Sequence, residues 1–279
     1  MKRITYHEFT FTNDYVFAEV MKNEELCRQL LQRILPDRKI RELRLCDEPG
    51  RGEKGEATSE TQKDVSFNAR SKGVRLDVLF RDDDAWYNIE LQCSRRYNIP
   101  LRSRYYGGLI DLDQLSKGDD YVRLKNTYII FICTFDIFGL GKPVYFFENY
   151  DIKNRLKFND RSYRIIVNTK SMECEMTNEL KALFDYINDN VVEDEDDFIR
   201  RIDDEVLKLN SKNNDWRREV MRLDEEFALR ERLAREEARE ETREEMHASL
   251  IPKLLKKGMT AEEVAELMDI DEEEIEKYS

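Results

Sequence analysis

The stretch "RLDVLFRDDDAWYNIELQ", residues 75–92, decides the reading of this chain. Two strand-like runs flank a polar break, DDDA at 82–85, which is a hairpin signal. The strands are expected over 74–81 and 86–93. Each carries a carboxylate where a core residue belongs: Asp77 in the first, Glu90 in the second, with Gln92 two residues on. If the hairpin is symmetric about 83–84, Asp77 falls opposite Glu90. Directly opposed side chains on one face have Cβ atoms about 5 Å apart, and like charges there destabilise a sheet. Alternation groups Arg75 and Asp77 with Asn88, Glu90 and Gln92 on one face. Val74, Leu76, Val78 and Phe80 then meet Ile89 and Leu91 on the other, as ordinary core. Two readings of the polar face stay open on spacing alone. A divalent cation between the carboxylates would cancel their repulsion and could polarise a phosphate or activate a water. Alternatively, the face looks to solvent with a stray Asp and Glu, or Arg75 bridges them.

The rest of the chain narrows the chemistry. Its 279 residues can bury a real core. It has only two His, His7 and His247, and five Cys, at 27, 46, 93, 133 and 174, without a CxxC pair. That leaves carboxylates for catalysis and a hard, oxygen-liganded cation for any metal. No apolar run of about 18 residues predicts a transmembrane helix. The start, MKRITYHEFTFTNDY, lacks an apolar signal core, so secretion is not expected and a cytoplasmic location follows. The net charge of −13 is uneven: residues 1–180 carry +1 and residues 181–279 carry −14. Overall acidity is therefore no argument against nucleic-acid contact by the N-terminal part.

Apolar periodicity predicts a helix over 13–35, broken near Asn23 and capped by Thr12 or Asn13. Residues 47–63 read as a loop, and 64–70 as a short strand. A helix is expected over 99–115 with Leu101, Tyr105, Leu109 and Leu112 on one face, weakened by Gly107 and Gly108. Residues 127–135 form a continuous β-branched and aromatic run, expected for a strand covered on both sides. Further strands are expected at 143–149 and 163–169, and a helix at 178–188. The order is that of an α/β protein, a mixed sheet with helices on both faces. From about 215 the sequence predicts a long, highly charged helix, a solvated or coiled-coil partner helix, interrupted by Pro252. In the tail, Gly258 is expected to end one short helix and Thr260, with Glu263, to cap the next. The tail reads as an acidic cap or oligomerisation element, or as half of a helix-turn-helix. The expected division is a domain at 1–212, a charged helix at 213–250 and a small helical tail at 251–279.

The residues also carry a family likeness. "GVRLDVLFRDDDAWYNIELQ", the following "LRSRYYGGLIDLDQLSKGDDYVRLKNTYIIFICTFDIFG", the opening "FTNDYVFAEVM" and the later "NELKALFDYIN" resemble the PD-(D/E)XK nuclease family transposases, the recombination-promoting nucleases. The likeness runs over about residues 10–235. It implies a restriction-endonuclease-like αβββαβ core with a C-terminal helical extension. It implies Asp77 and Glu90 as ligands of Mg²⁺ or Mn²⁺, Gln92 where the wider superfamily carries Lys, and Asp14 as a third acid. Ala18 stands where the family often has Lys, with Lys22 one turn on as a substitute. The implied activity is that of a Mg²⁺-dependent deoxyribonuclease, an endonuclease hydrolysing DNA phosphodiesters with low sequence specificity, linked to recombination or transposon-like elements. Arg102, Arg104 and Tyr105 would grip backbone phosphate, flanked by Arg95 and Arg96. Expected partners are DNA and a second copy through the C-terminal helix, with no membrane. A catalytically silent, binding-only protein of the same fold is the competing expectation.

Overall fold

The computed structural model describes residues 2–46, 77–95, 98–173, 176–212, 214–268, 270, 271, 275 and 277. The expected loop at 47–63, the expected strand at 64–70, and Arg75, Arg96 and Cys174 lie outside them. The chain divides into two units, residues 1–212 and 213–279.

The first unit opens with β1 (Lys2–Ile4), then α1 (Asp14–Met21) and α2 (Glu24–Ile34). An Asn caps each helix: Asn13 accepts from the N–H of Tyr15 and Val16, and Asn23 from those of Glu25 and Leu26. The second cap makes the expected break, because it satisfies the free donors of a new helix start. Next come β2 (Arg44–Leu45), β3 (Val78–Arg81), β4 (Ala85–Gln92) and α3 (Ile99–Gln114). They are followed by β5 (Asn126–Cys133), β6 (Val144–Phe147), the small hairpin β7 (Tyr150–Asp151) and β8 (Leu156–Lys157), and β9 (Ser162–Asn168). The unit closes with α4 (Asn178–Asp189), β10 (Val191–Glu193) and α5 (Asp197–Asn210).

Six strands form one mixed sheet in the order β2-β3-β4-β5-β9-β6. The inner pairs β4/β5 and β5/β9 are parallel, and the outer pairs are antiparallel. Parallel neighbours need a crossover, and α3 supplies it between β4 and β5. The run from α2 through β2, β3, β4 and α3 to β5 thus follows the expected αβββαβ order, with β2 as its first strand among the described residues. Helices flank the sheet. All eight residues of β4 are buried, as are seven of eight in β5, so the apolar run at 127–135 is covered on both sides as predicted. Leu79, Trp86, Phe131, Cys133 and Ile166 pack with Ile99, Tyr106 and Ile110 of α3 on one face. β1 and β10 pair antiparallel as a separate two-stranded ribbon.

The structure corrects the expected face of α3. Its buried residues are Ile99, Ser103, Tyr106, Gly107 and Ile110, while Leu101 is 52% and Leu112 62% exposed, and Tyr105 is exposed too. The buried stripe lies two residues, roughly 200°, around the axis from the predicted one. Ser, Gly and Tyr line it where α3 closes over a face that mixes the polar Asn88, Glu90 and Gln92 with apolar Trp86 and Phe131. The elements β1, β2, β7, β8, β10 and α5 have no counterpart in the sequence reading.

The second unit holds α6 (Asn214–Lys256) and α7 (Ala261–Met268). A second correction falls here: α6 continues through Pro252 for four residues. A proline inside a helix costs about 3 kcal/mol. The last turn is held by Ile251, buried with Val264 and Ile275, with Leu254 and Leu255 packed against them. Gly258, at φ +93°, follows the helix end. Thr260 and Glu263 then cap α7 reciprocally, Thr260 N–H to Glu263 Oε2 at 2.8 Å and Glu263 N–H to Thr260 Oγ1 at 3.2 Å.

Candidate active site

The site begins at a turn. Asp82 is buried and its Oδ1 accepts the N–H of Asp84 at 2.8 Å and of Ala85 at 2.7 Å. Its Oδ2 accepts the Tyr87 hydroxyl at 2.9 Å. A short polar side chain that bonds its own backbone two and three residues on fixes a tight turn. This leaves Asp83 and Asp84 as the loop and pairs Arg81 with Trp86, Phe80 with Tyr87, Leu79 with Asn88 and Val78 with Ile89. That is the register read from the sequence.

One step further, Asp77 meets Glu90. The Asp77 N–H donates to Glu90 Oε1 at 3.2 Å, and the Leu91 N–H donates to Asp77 Oδ2 at 3.2 Å. Both carboxylates are therefore held by the backbone of the opposite strand. Asn88 Nδ2 also donates to Glu90 Oε1, at 3.1 Å. Glu90 is 2% exposed, and Asn88 and Gln92 are buried as well. The strand face is covered by α3, which overturns the solvent-facing reading.

Arg102, on α3, closes the site. Its Nη2 donates to Glu90 Oε2 at 3.2 Å and its Nη1 to Gln92 Oε1 at 2.6 Å. Tyr106, one turn on, accepts from Arg102 Nε at 3.2 Å and Nη2 at 2.8 Å. The guanidinium carbon lies 5.3 Å from the ring centres of both Tyr106 and Phe131. Phe131 is the β5 neighbour of Glu90, so the sheet register also sets this stacking surface.

Burial pushes the Asp77 carboxyl well above the usual range, and the charges of Glu90 and Asp14 add to the rise. Burial raises Glu90 too, against the opposing pull of Arg102 and of the Asp77 N–H and Asn88 amide. Burial would lower Arg102, but Tyr106, Glu90 and Asp77 outweigh it and the guanidinium stays charged. Burial pushes Tyr106 up to about 12 and Cys93, at the end of β4, up to about 11. Both therefore stay protonated at neutral pH.

The structure brings Asp77, Glu90 and Gln92 together as expected. Asp14 opens α1 on the exposed side, yet both acids feel its charge. The Cys93 thiol, on the Thr12 carbonyl at 3.5 Å, ties the end of β4 to the segment before α1. Of the expected phosphate contacts, Arg102 faces the acids instead. Arg104 and Tyr105 are exposed on the outer side of α3, and Arg95 lies over the Phe135 ring at 5.6 Å. Lys22 pairs with Glu19, and among the described residues the cation that contacts Glu90 is Arg102. The sequence reading misses Tyr106; its signal is the i, i+4 spacing from Arg102, which stacks two side chains on one helix face.

The donor set is oxygen only: two carboxylates, and the Asn88 Oδ1, which is buried without a partner among the described residues. Such a set suits a hard divalent cation. Among the described residues no three His, Cys, Asp or Glu side chains converge as a complete cage. Mg²⁺ commonly takes one or two carboxylates and completes its shell with water and substrate phosphate, so the residues fit it.

A mixed sheet flanked by helices, with an acid pair on its antiparallel-to-parallel junction, is the architecture of a restriction-endonuclease-like domain. The chain belongs to the PD-(D/E)XK nuclease family transposases, whose model matches residues 11–246. That span takes in the six-stranded sheet, α1 to α5 and most of α6. No curated protein and no solved structure matches the chain. No helix among the described residues is long and apolar enough to cross a membrane.

Proposed function

We propose that this protein is a metal-dependent endonuclease that hydrolyses DNA phosphodiester bonds with little sequence preference, in recombination or transposon-like contexts. One observation carries the reading: the carboxylates of the buried Glu90 and the half-buried Asp77 are fixed side by side by opposite-strand backbone N–H groups at 3.2 Å. Burying two like charges is costly unless something positive shares the site. A fold that only needed stability would place apolar residues there.

In this reading Asp77 and Glu90 hold Mg²⁺ or Mn²⁺, with Asp14 supporting the charge of the site from the start of α1. The ion supplies a lowered pKa for attacking water and stabilises charge on the phosphate oxygens. The protein's own residues do the rest. Glu90 is oriented through Asn88 and the Asp77 N–H. Gln92 holds Arg102 in place by accepting its Nη1. The exposed Arg95 and Arg104 contact DNA backbone phosphate, which carries no sequence information. The exposed Met221, Leu229, Met246 and Leu250 on α6 support self-association through that helix.

Nicking of supercoiled plasmid at neutral pH tests the reading, with and without Mg²⁺ or Mn²⁺, for wild type, Asp77→Ala and Glu90→Ala. Metal-dependent nicking by wild type and its loss in both variants is the expected result. No cleavage by folded wild type, and no cation binding by calorimetry, would favour the binding-only protein.

A further inference from the structure

We propose that the loop from Thr134 to Lys142, which leaves the sheet beside Gln92, is a stacking platform for unpaired DNA bases. The substrate of the acid pair is then DNA with single-stranded or unwound character. This rests on the DNA-cleavage reading above and names the class of DNA that the site takes.

The loop stands at the acid end of the sheet. Strands β4, β5 and β9 are parallel, so Gln92, Cys133 and Asn168 end them in one row. In open sheets of this kind ligands approach the carboxyl ends of the strands. The Thr134 N–H donates to the Gln92 carbonyl at 3.1 Å. The loop therefore starts where β4 ends, and Glu90 lies two residues before that end. Arg95, just past β4, lies over the Phe135 ring at 5.6 Å and brings a cation to the same place.

The loop is built around one carboxylate. Asp136 Oδ1 accepts the Phe138 N–H at 3.0 Å and the Tyr145 hydroxyl at 2.8 Å, and Oδ2 accepts the Gly141 N–H at 2.7 Å. Ser171 Oγ donates to the Gly141 carbonyl at 2.5 Å. Gly141 sits at φ +71°, a backbone that a side chain would strain. The brace holds the tip in place, yet what it holds out is apolar. Leu140 is 71% exposed, and Phe138 and Phe147 are exposed beside it in the fold. The Phe138 ring meets Tyr145 edge-on at 4.8 Å and Phe147 at 5.2 Å. Clustered apolar side chains left in water mark contact with a partner. In a perfect duplex the apolar faces of the bases cover one another, so only an unstacked base can lie on Phe138. Base–aromatic stacking tolerates any base, in keeping with cleavage of low specificity. The seat beside the acids, with Arg95 at hand for the phosphates, favours DNA over a second copy of the chain.

The test is fluorescence anisotropy of the full chain in Ca²⁺, which avoids reliance on turnover. The probes are a single strand of about 20 thymidines, a duplex of about 20 base pairs, and that duplex with a central mismatched bubble. Wild type is expected to bind the single strand and the bubble more tightly than the perfect duplex. Phe138→Ala/Leu140→Ala is expected to lose about tenfold in affinity for those two, the scale of one stacked base, and less than about twofold for the perfect duplex. Phe138→Trp keeps the affinity, and the fluorescence of the added indole is quenched by the single strand. Leu140→Ala alone repeats the measurement if the double variant melts early, and Leu207→Ala, exposed on α5, changes nothing. Equal loss on all three probes, no loss, or a wild-type preference for the perfect duplex overturns the stacking role alone. Metal-dependent plasmid nicking lost in Asp77→Ala and Glu90→Ala would still support DNA cleavage. A change of mass by light scattering in the double variant, with DNA affinity intact, assigns the apolar tip to a second copy and overturns the stacking role. Folded wild type that binds none of the probes overturns the DNA reading and the loop's role together.

Discussion

The main-chain N–H of Asp77 donates to Glu90 Oε1 at 3.2 Å, so the strand that carries one acid also clamps the other. The reverse clamp runs from the Leu91 N–H to Asp77 Oδ2. Neither carboxylate depends on a flexible partner for its position. Both depend on the register of one hairpin, and that register depends on Asp82 at its turn. A slip of one residue would turn Asp77 to the opposite face of the sheet.

Replacing Asp77 by Asn removes one of two neighbouring like charges and keeps an oxygen to accept the Leu91 N–H. The metal-free variant is expected to be more stable than wild type at neutral pH by roughly 1–2 kcal/mol, the scale of one pKa unit of repulsion. It is also expected to lose any rise in melting temperature on adding Mg²⁺, because a ligand stabilises only what it binds. Thermal melts of both proteins with and without Mg²⁺ read both effects. A less stable variant would mean that Asp77 is paired in solution by a cation the site keeps.

The acid pair also fixes the sign of a pH effect. Asp77 and Glu90 both titrate higher in the folded protein than in the unfolded chain. The native state therefore binds more protons than the unfolded state across that interval. Their contribution is fully present below the ordinary carboxylate range and is lost as pH rises through the raised folded values. Asp196, held low because Arg33 and backbone N–H groups outweigh its burial, acts in the opposite direction. Urea midpoints against pH for wild type and for Asp77→Asn/Glu90→Gln separate the two. The wild-type minus variant difference is expected to fall as pH rises, and saturating Mg²⁺ to flatten it.

The acid pair was legible because a strand's period of two is rigid: once the turn is placed, every cross-strand partner follows. The central strand β5 was legible for a similar reason, since a run of β-branched and aromatic residues has few other homes. Arg102's task was not legible. Helical side chains are long, and whether an arginine turns inward to an acid or outward to a phosphate depends on how the helix is rotated. That rotation was misread because the apolar Leu101, Tyr105 and Leu112 outweighed a buried stripe made partly of Ser103 and Gly107. The helix α5 lies behind an acidic run at 193–197, and the β1–β10 ribbon depends on partners about 190 residues away, as Arg3 does on Val192.

The rotation of α3 gives a direct stability prediction. Leu101→Gln and Leu112→Gln are expected to change stability by no more than about 0.5 kcal/mol, as exposed substitutions do. Ile110→Ala, on the buried stripe against Ile129 and Phe131, is expected to cost about 2–5 kcal/mol. Chemical denaturation of the three variants decides it. The opposite ranking would restore the face expected from hydrophobicity alone.

The relation between Gln92 and Arg102 predicts the outcome of an obvious repair. Gln92→Lys would supply the lysine common at this position in the wider superfamily, and simple analogy expects more activity. The structure predicts less. A lysine has no acceptor for Arg102 Nη1, which stands 2.6 Å from Gln92 Oε1, and its ammonium would be buried against a guanidinium. The single variant is expected to lose about 2–4 kcal/mol of stability and to gain no nicking activity. Gln92→Lys combined with Arg102→Gln restores one cation and one amide across the same contact. That pair is expected to recover part of the loss, with a coupling of about 1–2 kcal/mol in a double-mutant cycle. Urea unfolding of wild type, the two single variants and the double variant measures it. Additive losses would mean that residues 92 and 102 do not meet in solution.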